Sequence, residues 1–435
     1  MSRQRAASKA HLAGRVQCRW CIGRNVVTHN NQRSRQSLTK GSGQPDAQYL
    51  DGPVAIIGAG IGGLTAALSL QHFGVPVRVF EQAQALREVG AGVTITPNAM
   101  NVLNFLGIGS ALAEQAGETL RYFVRSAIDG RELERGPDPD SFVPEFGAPY
   151  CNLHRADLHS ALTDAVTRND PDAILLDHRF EYLEQDHDKV IAHFTNQTAF
   201  EAPALIGADG GASAVRNVVF SGQKASYTGH VALRALVPFT RVPQAITEDP
   251  YVLYVGAGRS LIHYPLRRQA TMNLLGNARP AQWQAEGWSI PATVKEFLSL
   301  FDDFPEPVQE LIAASPEPDL FKWGLRDREP LPAWTRGRVT MLGDAAHPMT
   351  PYLGQGACMA IEDGMILGRA LAGSQDLEEA FSRYEAARRD RANGVQLASR
   401  YQGTQHHGST ASGPSTGKTA ATLGLFSYNP VTASI

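Results

Sequence analysis

VAIIGAGIGG, residues 54–63, decides the fold of this chain. Its first four residues, Val54 to Ile57, form a short continuous apolar run, which is typical of a strand buried on both faces of a parallel sheet. The glycines that follow have the Gly-x-Gly-x-x-Gly spacing of a dinucleotide-binding turn. Residues 64–73 then predict an Ala/Leu-rich helix, and residues 77–80 predict a second strand. Together these elements form a β-α-β unit of about 30 residues and predict an α/β fold.

Each glycine of this turn has its own physical task. Gly58 allows the tight passage from strand to helix, Gly60 lets the backbone approach a pyrophosphate, and Gly63 lets the helix and strand pack closely. The diphosphate then lies at the positive end of the helix dipole. Glu81 follows the second strand and can accept hydrogen bonds from an adenosine ribose; we also assign its neighbour Gln82 to the cofactor site. This first segment therefore predicts a bound dinucleotide.

A second glycine-rich pattern, far downstream, distinguishes a flavin from a nicotinamide cofactor. A strand at residues 339–342 leads into Gly343 and Asp344, whose carboxylate can accept hydrogen bonds from ribityl hydroxyls. The next turn begins a helix and directs backbone amides toward the isoalloxazine carbonyl. The residues of that turn are Gly354, Gln355, Gly356 and Ala357. A cofactor held at both of these places predicts FAD.

Composition narrows the class of protein. The 435 residues are 43% hydrophobic and 19% charged with a net charge of −3, as in a loop-rich globular α/β enzyme. No apolar run approaches the about 20 residues of a membrane span, and the net charge gives no reason to expect a nucleic-acid partner. The four cysteines are scattered, so we predict no disulfide and no metal site. We expect a cytoplasmic monomer or homodimer.

The first 45 residues differ from the rest of the chain, because they contain nine Lys or Arg and no Asp or Glu. A disordered basic tail and a translated leader are the favoured interpretations, with an organelle transit peptide as a minor alternative.

The chain as a whole divides into predicted segments. The basic tail or leader covers 1–51, and the first part of an FAD-binding domain covers 52–222, with an inserted hairpin at about 118–150. An antiparallel substrate-binding sheet domain follows at 223–320, then the second part of the FAD-binding domain with C-terminal helices at 321–400, and a loosely packed tail at 401–435.

Three motifs together give the chain a family resemblance. They are the glycine turn at 58–63, the Asp-Gly motif at 207–216 (GADGGASAVR) and the Gly-Asp motif that begins at Gly343. From about Val54 to about Arg400 the chain resembles the single-component FAD-dependent aromatic hydroxylases, or group A flavoprotein monooxygenases. Residues 347–349, 355–363 and 264–267 look most like the branch that contains salicylate hydroxylase and 3-hydroxybenzoate 6-hydroxylase.

The resemblance implies a fold, a chemistry and several site residues. The fold is a Rossmann-like FAD-binding domain of the GR2 type with an inserted antiparallel substrate domain. In the implied reaction NAD(P)H reduces FAD, O₂ forms a flavin C4a-hydroperoxide, and an electron-rich phenolate takes the distal oxygen. By similarity Glu81, Arg155 and Asp344 contact FAD, Asp209 links the cofactor to NAD(P)H handling, and Pro351 lies near the reactive edge of the flavin.

The substrate end departs from the pattern of relatives. The 6-hydroxynicotinate enzymes of this family carry histidines at positions that match Thr94 and Leu233, which argues against that activity. The remaining groups that could polarise a phenol are His230, His263, Tyr254 and Tyr264, each of which could instead be an ordinary sheet residue. Arg234 and Arg267 could bind a substrate carboxylate, or be solvated strand charges. From these sets we predict that Pro351, His230, Tyr264 and Arg234 act in catalysis.

The combined prediction is an enzyme that hydroxylates a small aromatic acid or phenol with FAD, O₂ and NADH or NADPH. Two alternatives use the same cofactor frame. One is an epoxidase or hydroxylase of a larger isoprenoid or polyketide phenol. The other is a flavin-binding carrier or regulator without catalytic activity.

Overall fold

The computed structural model describes residues 49–86, 91–220, 224–256, 258–280, 283, 287, 289–407, 420 and 422–435. Nearly all of the basic segment predicted at 1–51 lies outside the described residues. Its end is anchored, because the hydroxyl of Tyr49 donates to the carbonyl of Leu371 at 2.7 Å. In the part of the chain that the structure describes, every helix is too short or too polar to cross a membrane.

The chain alternates between helices and strands. The strands are β1 (Val54–Ile57), β2 (Val77–Phe80), β3 (Gly92–Ile95), β4 (Phe123–Ser126), β5 (Glu132–Arg135), β6 (Cys151–His154), β7 (Ile174–Leu175), β8 (Phe180–Gln185), β9 (Val190–Phe194), β10 (Ala199–Ala202), β11 (Leu205–Gly207), β12 (Ser226–Pro238), β13 (Val252–Gly256), β14 (Arg259–Leu266), β15 (Thr271–Ala278), β16 (Ile290–Pro291), β17 (Phe321–Asp327), β18 (Thr335–Arg336) and β19 (Val339–Met341). The α-helices are α1 (Ile61–His72), α2 (Pro97–Phe105), α3 (Gly109–Ala116), α4 (Phe142–Phe146), α5 (Arg155–Asn169), α6 (Ala214–Val219), α7 (Gln244–Glu248), α8 (Val294–Leu300), α9 (Glu306–Ala313), α10 (Gly356–Ala372) and α11 (Leu377–His407).

The first sheet has six strands in the order β18-β19-β11-β1-β2-β7, and all neighbours except β18 and β19 are parallel. Val54 and Ile56 of β1 pack in the same core as α1 and α10, whereas Ala55 and Ile57 pack in the core of the β8-β9-β10 sheet. Both faces are covered, so a continuous apolar run is what this position requires. The carboxyl ends of β1, β2, β11 and β19 meet at one edge, where parallel α/β sheets bind ligands.

The second sheet has eight strands in the order β16-β17-β12-β15-β14-β13-β4-β5. It is antiparallel apart from the β13-β4 pair. One face is buried under α8 and α9, whose Phe297 and Leu311 pack in one core with Leu233 and Leu274 of the strands. This confirms the α/β fold class with an antiparallel sheet between the two cofactor segments.

Two features of this sheet bear on the predicted segments. The hairpin β4-β5 from the predicted insertion extends the eight-stranded sheet through β4. Strand β17 (Phe321–Asp327) pairs with β12, so it belongs to the same sheet and not to the six-stranded one. A division at residue 320 would separate this strand from its partners, and the domain boundaries stay predictions.

The C-terminal region differs from the expected loose tail. Helix α11 continues to His407, past the expected start of the tail at 401. Leu425 and Phe426 are buried in the same core as β1, and Phe426 packs against Phe142, Phe146 and Tyr150. The expectation is therefore wrong for residues 422–435. It failed because the partners of its buried residues lie in distant parts of the sequence.

Candidate active site

A cavity of about 400 Å³ opens where the carboxyl edge of the six-stranded sheet faces the eight-stranded sheet. The predicted site residues that line it are Gly60, Arg155, Arg234, Tyr264, Asp344, Pro351, Gly354, Gln355, Gly356 and Ala357. The predicted site residues that do not line it are Gly58, Gly63, Glu81, Gln82, Asp209 and His230. The structure thus brings ten of the predicted site residues together in the cavity wall, and the other six lie outside it.

Two glycines of the turn leave no room for a side chain, and a third borders open space. Gly58 has a φ of +107°, and a Cβ there would meet the carbonyl oxygen of Ala208 at 2.5 Å. A Cβ on Gly63 would lie 2.0 Å from the carbonyl oxygen of Gly58, so the helix packs directly on the turn. Gly60 instead faces open space within the cavity, with no atom within 4 Å of its ideal Cβ. That space suits a pyrophosphate that approaches the backbone at the start of α1.

Glu81 supports the turn from behind. Its carboxylate accepts hydrogen bonds from the backbone N–H of Ala59 at 3.0 Å and of Ala83 at 2.9 Å. This links the end of β2 to the glycine turn and fixes the position of an acceptor beside it. Gln82 is exposed, and the structure shows no contact between it and the cavity.

Asp344 presents an unpaired carboxylate to the cavity. Its side chain is exposed there, and no other described residue hydrogen-bonds its carboxylate. The surrounding protein raises the pKa of Asp344 by desolvation, while the nearby side chains of His347, Arg155 and Arg216 act in the opposite direction. A buried cleft with a carboxylate that still lacks donors fits a ligand rich in hydroxyl groups, such as a ribityl chain.

The start of α10 offers donors to the same ligand. Gly354 takes a left-handed φ of +62°, and Gln355 precedes the first helical residue. The N–H groups of a first helical turn have no partners within the helix, and the residues of this turn line the cavity. The side chain of Gln355 points behind the turn, where its Nε2 donates to Thr96 at 3.2 Å. The combination of Gly60, Asp344 and these amides therefore fits FAD.

Asp209 has a structural task. Its carboxylate accepts from the hydroxyl of Ser213 at 2.5 Å and from the backbone N–H of Ala214 at 2.6 Å and of Val215 at 3.1 Å, so it caps α6. Burial raises the pKa of Asp209, and these hydrogen bonds oppose the increase. Its predicted link to NAD(P)H handling stays a prediction.

Arg216 links the Asp-Gly motif, to which it belongs, with the Gly-Asp motif that begins at Gly343. Sequence reasoning did not assign it a role. Its guanidinium donates to the carbonyl of Ala345 at 2.8 Å and to that of Gly211 at 2.7 Å. It is almost fully buried, and desolvation lowers its pKa to about 10. The Asp-Gly motif thereby holds the backbone of the Gly-Asp motif in place.

A buried ionic network lies under the Gly-Asp motif, and sequence reasoning did not identify it either. Asp363 accepts from the backbone N–H of Gly343 at 2.9 Å, from His347 at 2.6 Å and from Arg388 at 2.8 Å. Glu362 pairs with Arg388 and Arg391 and accepts from Asn98. Burial alone would raise the pKa of Asp363, but His347 and Arg388 outweigh it and lower the pKa to about 2. The signal was present in the sequence, because two adjacent acids interrupt an otherwise apolar helix.

The substrate candidates divide according to the alternation of side chains along each strand. Tyr264 and Arg234 line the cavity, whereas His263 and Tyr254 lie on the opposite face; Tyr254 packs in the core beneath the helices. His263 is fully buried, and desolvation lowers its pKa to about 4. Leu233 also lies in that core, so the absence of a histidine there does not remove a base from the cavity. His230 lies outside the cavity lining.

Four tyrosines gather at one end of the cavity. Tyr122, Tyr150, Tyr251 and Tyr264 all line it, and the hydroxyls of Tyr150 and Tyr251 are 2.7 Å apart. Sequence reasoning identified Tyr264 alone, since the other three come from different strands and loops. Thr94 lies beside them and also lines the cavity.

Arg234 is the cation that the eight-stranded sheet directs into this cavity. Its Nε atom is buried without a hydrogen-bond partner among the described residues, and its guanidinium lies 5.6 Å from the ring centre of Trp323. Desolvation lowers the pKa of Arg234, and Arg155 adds to that effect. Arg267, the other carboxylate-binding candidate, lies outside the cavity lining.

Comparison with known proteins identifies the family of this chain. Residues 51–399 match the family described as FAD binding domain. The chain is 39% identical to a 3-hydroxybenzoate 6-hydroxylase of Polaromonas naphthalenivorans (strain CJ2), over 82% of this chain and 88% of that protein. It is 35% identical to a 6-hydroxynicotinate 3-monooxygenase of Bordetella bronchiseptica, over 80% of this chain and 90% of that protein.

Solved structures of similar fold also include proteins that bind FAD and aromatic substrates. Klebsiella pneumoniae HpxO complexed with FAD and uric acid has a TM-score of 0.75 and 29% identity, and the match covers 84% of this chain and 91% of that one. A salicylate hydroxylase substrate complex has a TM-score of 0.71 and 26% identity, with 82% and 90% covered. The chain therefore belongs to the FAD-dependent aromatic hydroxylases, a family of flavoprotein monooxygenases, in the branch of salicylate hydroxylase and 3-hydroxybenzoate 6-hydroxylase.

Proposed function

We propose that this monooxygenase hydroxylates a small aromatic acid similar to salicylate or a hydroxybenzoate, with NADH or NADPH as electron donor. The observation that supports this most is the half-buried side chain of Arg234 in the cavity wall, whose Nε is buried and has no partner among the described residues. Burying an unpaired cation costs free energy, and a substrate carboxylate would restore the missing hydrogen bonds.

The residues around Arg234 can hold an aromatic ring. Leu275, Ile262 and Leu253 pair across adjacent strands from Arg234 and form an apolar strip along the cavity wall. Tyr264 lies one row farther along β14. Burial raises the pKa of Tyr264, so its phenol keeps its proton near neutral pH and can donate to the substrate. Arg234 thus anchors the acid, the strip contacts the ring, and Tyr264 orients a polar substituent.

Other residues of this chain hold the cofactor in the proposal. Gly60, Arg155 and Asp344 bind its chain, and the amides at the start of α10 bind the ring system. FAD, when bound, supplies the redox and oxygen-activating chemistry. Pro351 and Tyr352 close the cavity beside the α10 turn and exclude water from the substrate. His230 has no role in this proposal, because it lies outside the cavity lining. The cytoplasmic location and the monomeric or homodimeric state stay predictions.

The test uses purified protein reconstituted with FAD and a panel of aromatic acids. The expected result is bound flavin, NAD(P)H oxidation that a specific acid accelerates, matching O₂ uptake and a hydroxylated product. Product must be measured, because uncoupled oxidation of NAD(P)H can resemble turnover. Hydroxylation of larger phenols alone would favour the isoprenoid or polyketide alternative. Bound flavin that no aromatic ligand stimulates would favour a carrier or regulator.

A further inference from the structure

The cavity face of the eight-stranded sheet is arranged in three rows, which the strand register defines. The middle row contains Arg234 and the apolar strip Leu275, Ile262 and Leu253. The row on one side contains Tyr264, with Tyr251 and Tyr122 next to it. The row on the other side contains Asn277 paired with Ser260. The cavity therefore has an apolar centre between two polar ends.

The Ser260 and Asn277 end has an unused acceptor. Both residues line the cavity although only 1% of Ser260 and 5% of Asn277 is exposed. Asn277 Nδ2 donates to the hydroxyl oxygen of Ser260 at 3.4 Å, whereas Asn277 Oδ1 has no partner among the described residues. A buried amide oxygen without a donor costs free energy, and its position in a cavity wall indicates that a ligand supplies the donor.

Helix α11 adds further polar groups to the cavity. Gln402 and His406 lie one turn apart on α11, are each 2% exposed, and line the cavity. Their Nε2 atoms are 2.7 Å apart, and the helix contacts β13 and β14 of the sheet. The cavity therefore contains buried polar groups from both the sheet and α11, which suits recognition of a polar substituent.

We propose that Ser260 and Asn277 bind a hydrogen-bond-donating substituent of the aromatic acid, a hydroxyl or an amino group, and thereby select among ring isomers. The inference rests on the proposed function, since it takes the carboxylate to lie on Arg234. Asn277 is two residues beyond Leu275, the cross-strand partner of Arg234, and such diagonal neighbours are about 7–8 Å apart. One benzene ring that carries a carboxylate and a second substituent spans this diagonal.

The test compares benzoate with its monohydroxy and monoamino isomers, using perturbation of the bound flavin spectrum to obtain Kd. In the wild-type protein we expect one hydroxy or amino isomer to bind more tightly than benzoate. Asn277→Leu removes the acceptor at similar volume. We expect it to raise the Kd of that isomer about tenfold and to leave the Kd of benzoate unchanged or lower. Ser260→Ala should have the same pattern with a smaller effect of about threefold.

A matched control is Ser126→Ala, because Ser126 is a buried serine of the same sheet that does not line the cavity. Ser126→Ala should leave both the Kd of benzoate and the Kd of the preferred isomer unchanged. If Asn277→Leu retains less FAD than wild type, Asn277→Ala decides the result, since it removes the same atoms with less bulk. Equal loss of affinity for benzoate and its isomers, or no loss for either, would overturn the inference. If no aromatic acid stimulates the wild-type enzyme, the proposed function fails instead, and the two failures are distinct.

Discussion

The two halves of the cavity are constructed in different ways. The cofactor half consists of backbone conformations at the ends of parallel strands, and residues such as Gly58, Gly63 and Asp344 lie within short motifs. The substrate half consists of side chains from several strands that the register brings into rows. Short motifs can therefore identify the cofactor half, whereas the substrate half depends on contacts between distant residues. Changes in the two halves should also differ in their effects on folding, flavin retention and substrate affinity.

The largest effect should come from the ionic network under the cofactor half. Asp363→Ala removes the acceptor of Gly343 N–H and leaves Arg388 with one partner fewer in a fully buried site. We expect a loss of about 3–5 kcal/mol in the free energy of unfolding, measured by urea denaturation, together with lower flavin content. The control is Asp390→Ala, because Asp390 is exposed and its pair with Arg389 should contribute under about 0.5 kcal/mol. Equal stabilities of the two variants would show that the network does not support the motif.

A pH experiment tests which face of the eight-stranded sheet His263 occupies. Its pKa is lowered from 6.5 to about 4 by burial, so below pH 6.5 the unfolded chain binds a proton that the folded protein does not. Stability therefore falls as pH decreases from about 6.5 to about 4, by about 3 kcal/mol in total. Between pH 7 and pH 5 the wild type should lose about 2 kcal/mol more than His263→Gln.

The same variant also distinguishes the two faces. Since His263 packs away from the cavity, His263→Gln should leave the Kd for aromatic acids unchanged. The exposed His187 gives the control, and His187→Gln should retain the wild-type pH dependence. A change in substrate affinity without a change in pH dependence would place His263 on the cavity side and contradict the assigned register.

Arg234→Gln should affect the substrate half alone. We expect kcat/KM for an aromatic acid to fall about 30-fold to 200-fold, because charged hydrogen bonds to a carboxylate contribute about 2–3 kcal/mol. Flavin content should not change, and stability should be equal or higher, because the variant removes a buried cation with an unpaired Nε. Arg267→Gln, outside the cavity lining, is the matched control. A similar loss in both variants would argue against a specific carboxylate site at Arg234.

These contrasts explain which parts of the molecule the sequence could predict. The turn at 58–63 and the Gly343-Asp344 motif combine backbone constraint and chemistry within a few residues, so both could be located, as could the part of the eight-stranded sheet within 223–320. Tyr251, Asn277 and Gln402 could not be assigned, because a side chain's place in the cavity depends on register and on which helix covers it. His230 lies outside the cavity lining, and its predicted catalytic role stays a prediction.

The smallest effect in this series should come from Asp344→Ala, and it concerns flavin alone. The Asp344 carboxylate has no hydrogen bond to other described residues, so its removal should leave the free energy of unfolding of the apoprotein unchanged. The Kd for FAD should rise about tenfold, because charge-assisted hydrogen bonds contribute about 1.5 kcal/mol or more. Equilibrium titration of apoprotein with FAD measures this. Gln82→Ala is the control: its exposed side chain lies outside the cavity lining, and its Kd should stay within about twofold of wild type. An Asp344→Ala variant with wild-type FAD affinity would refute the ribityl contact and leave the cofactor half dependent on backbone groups alone.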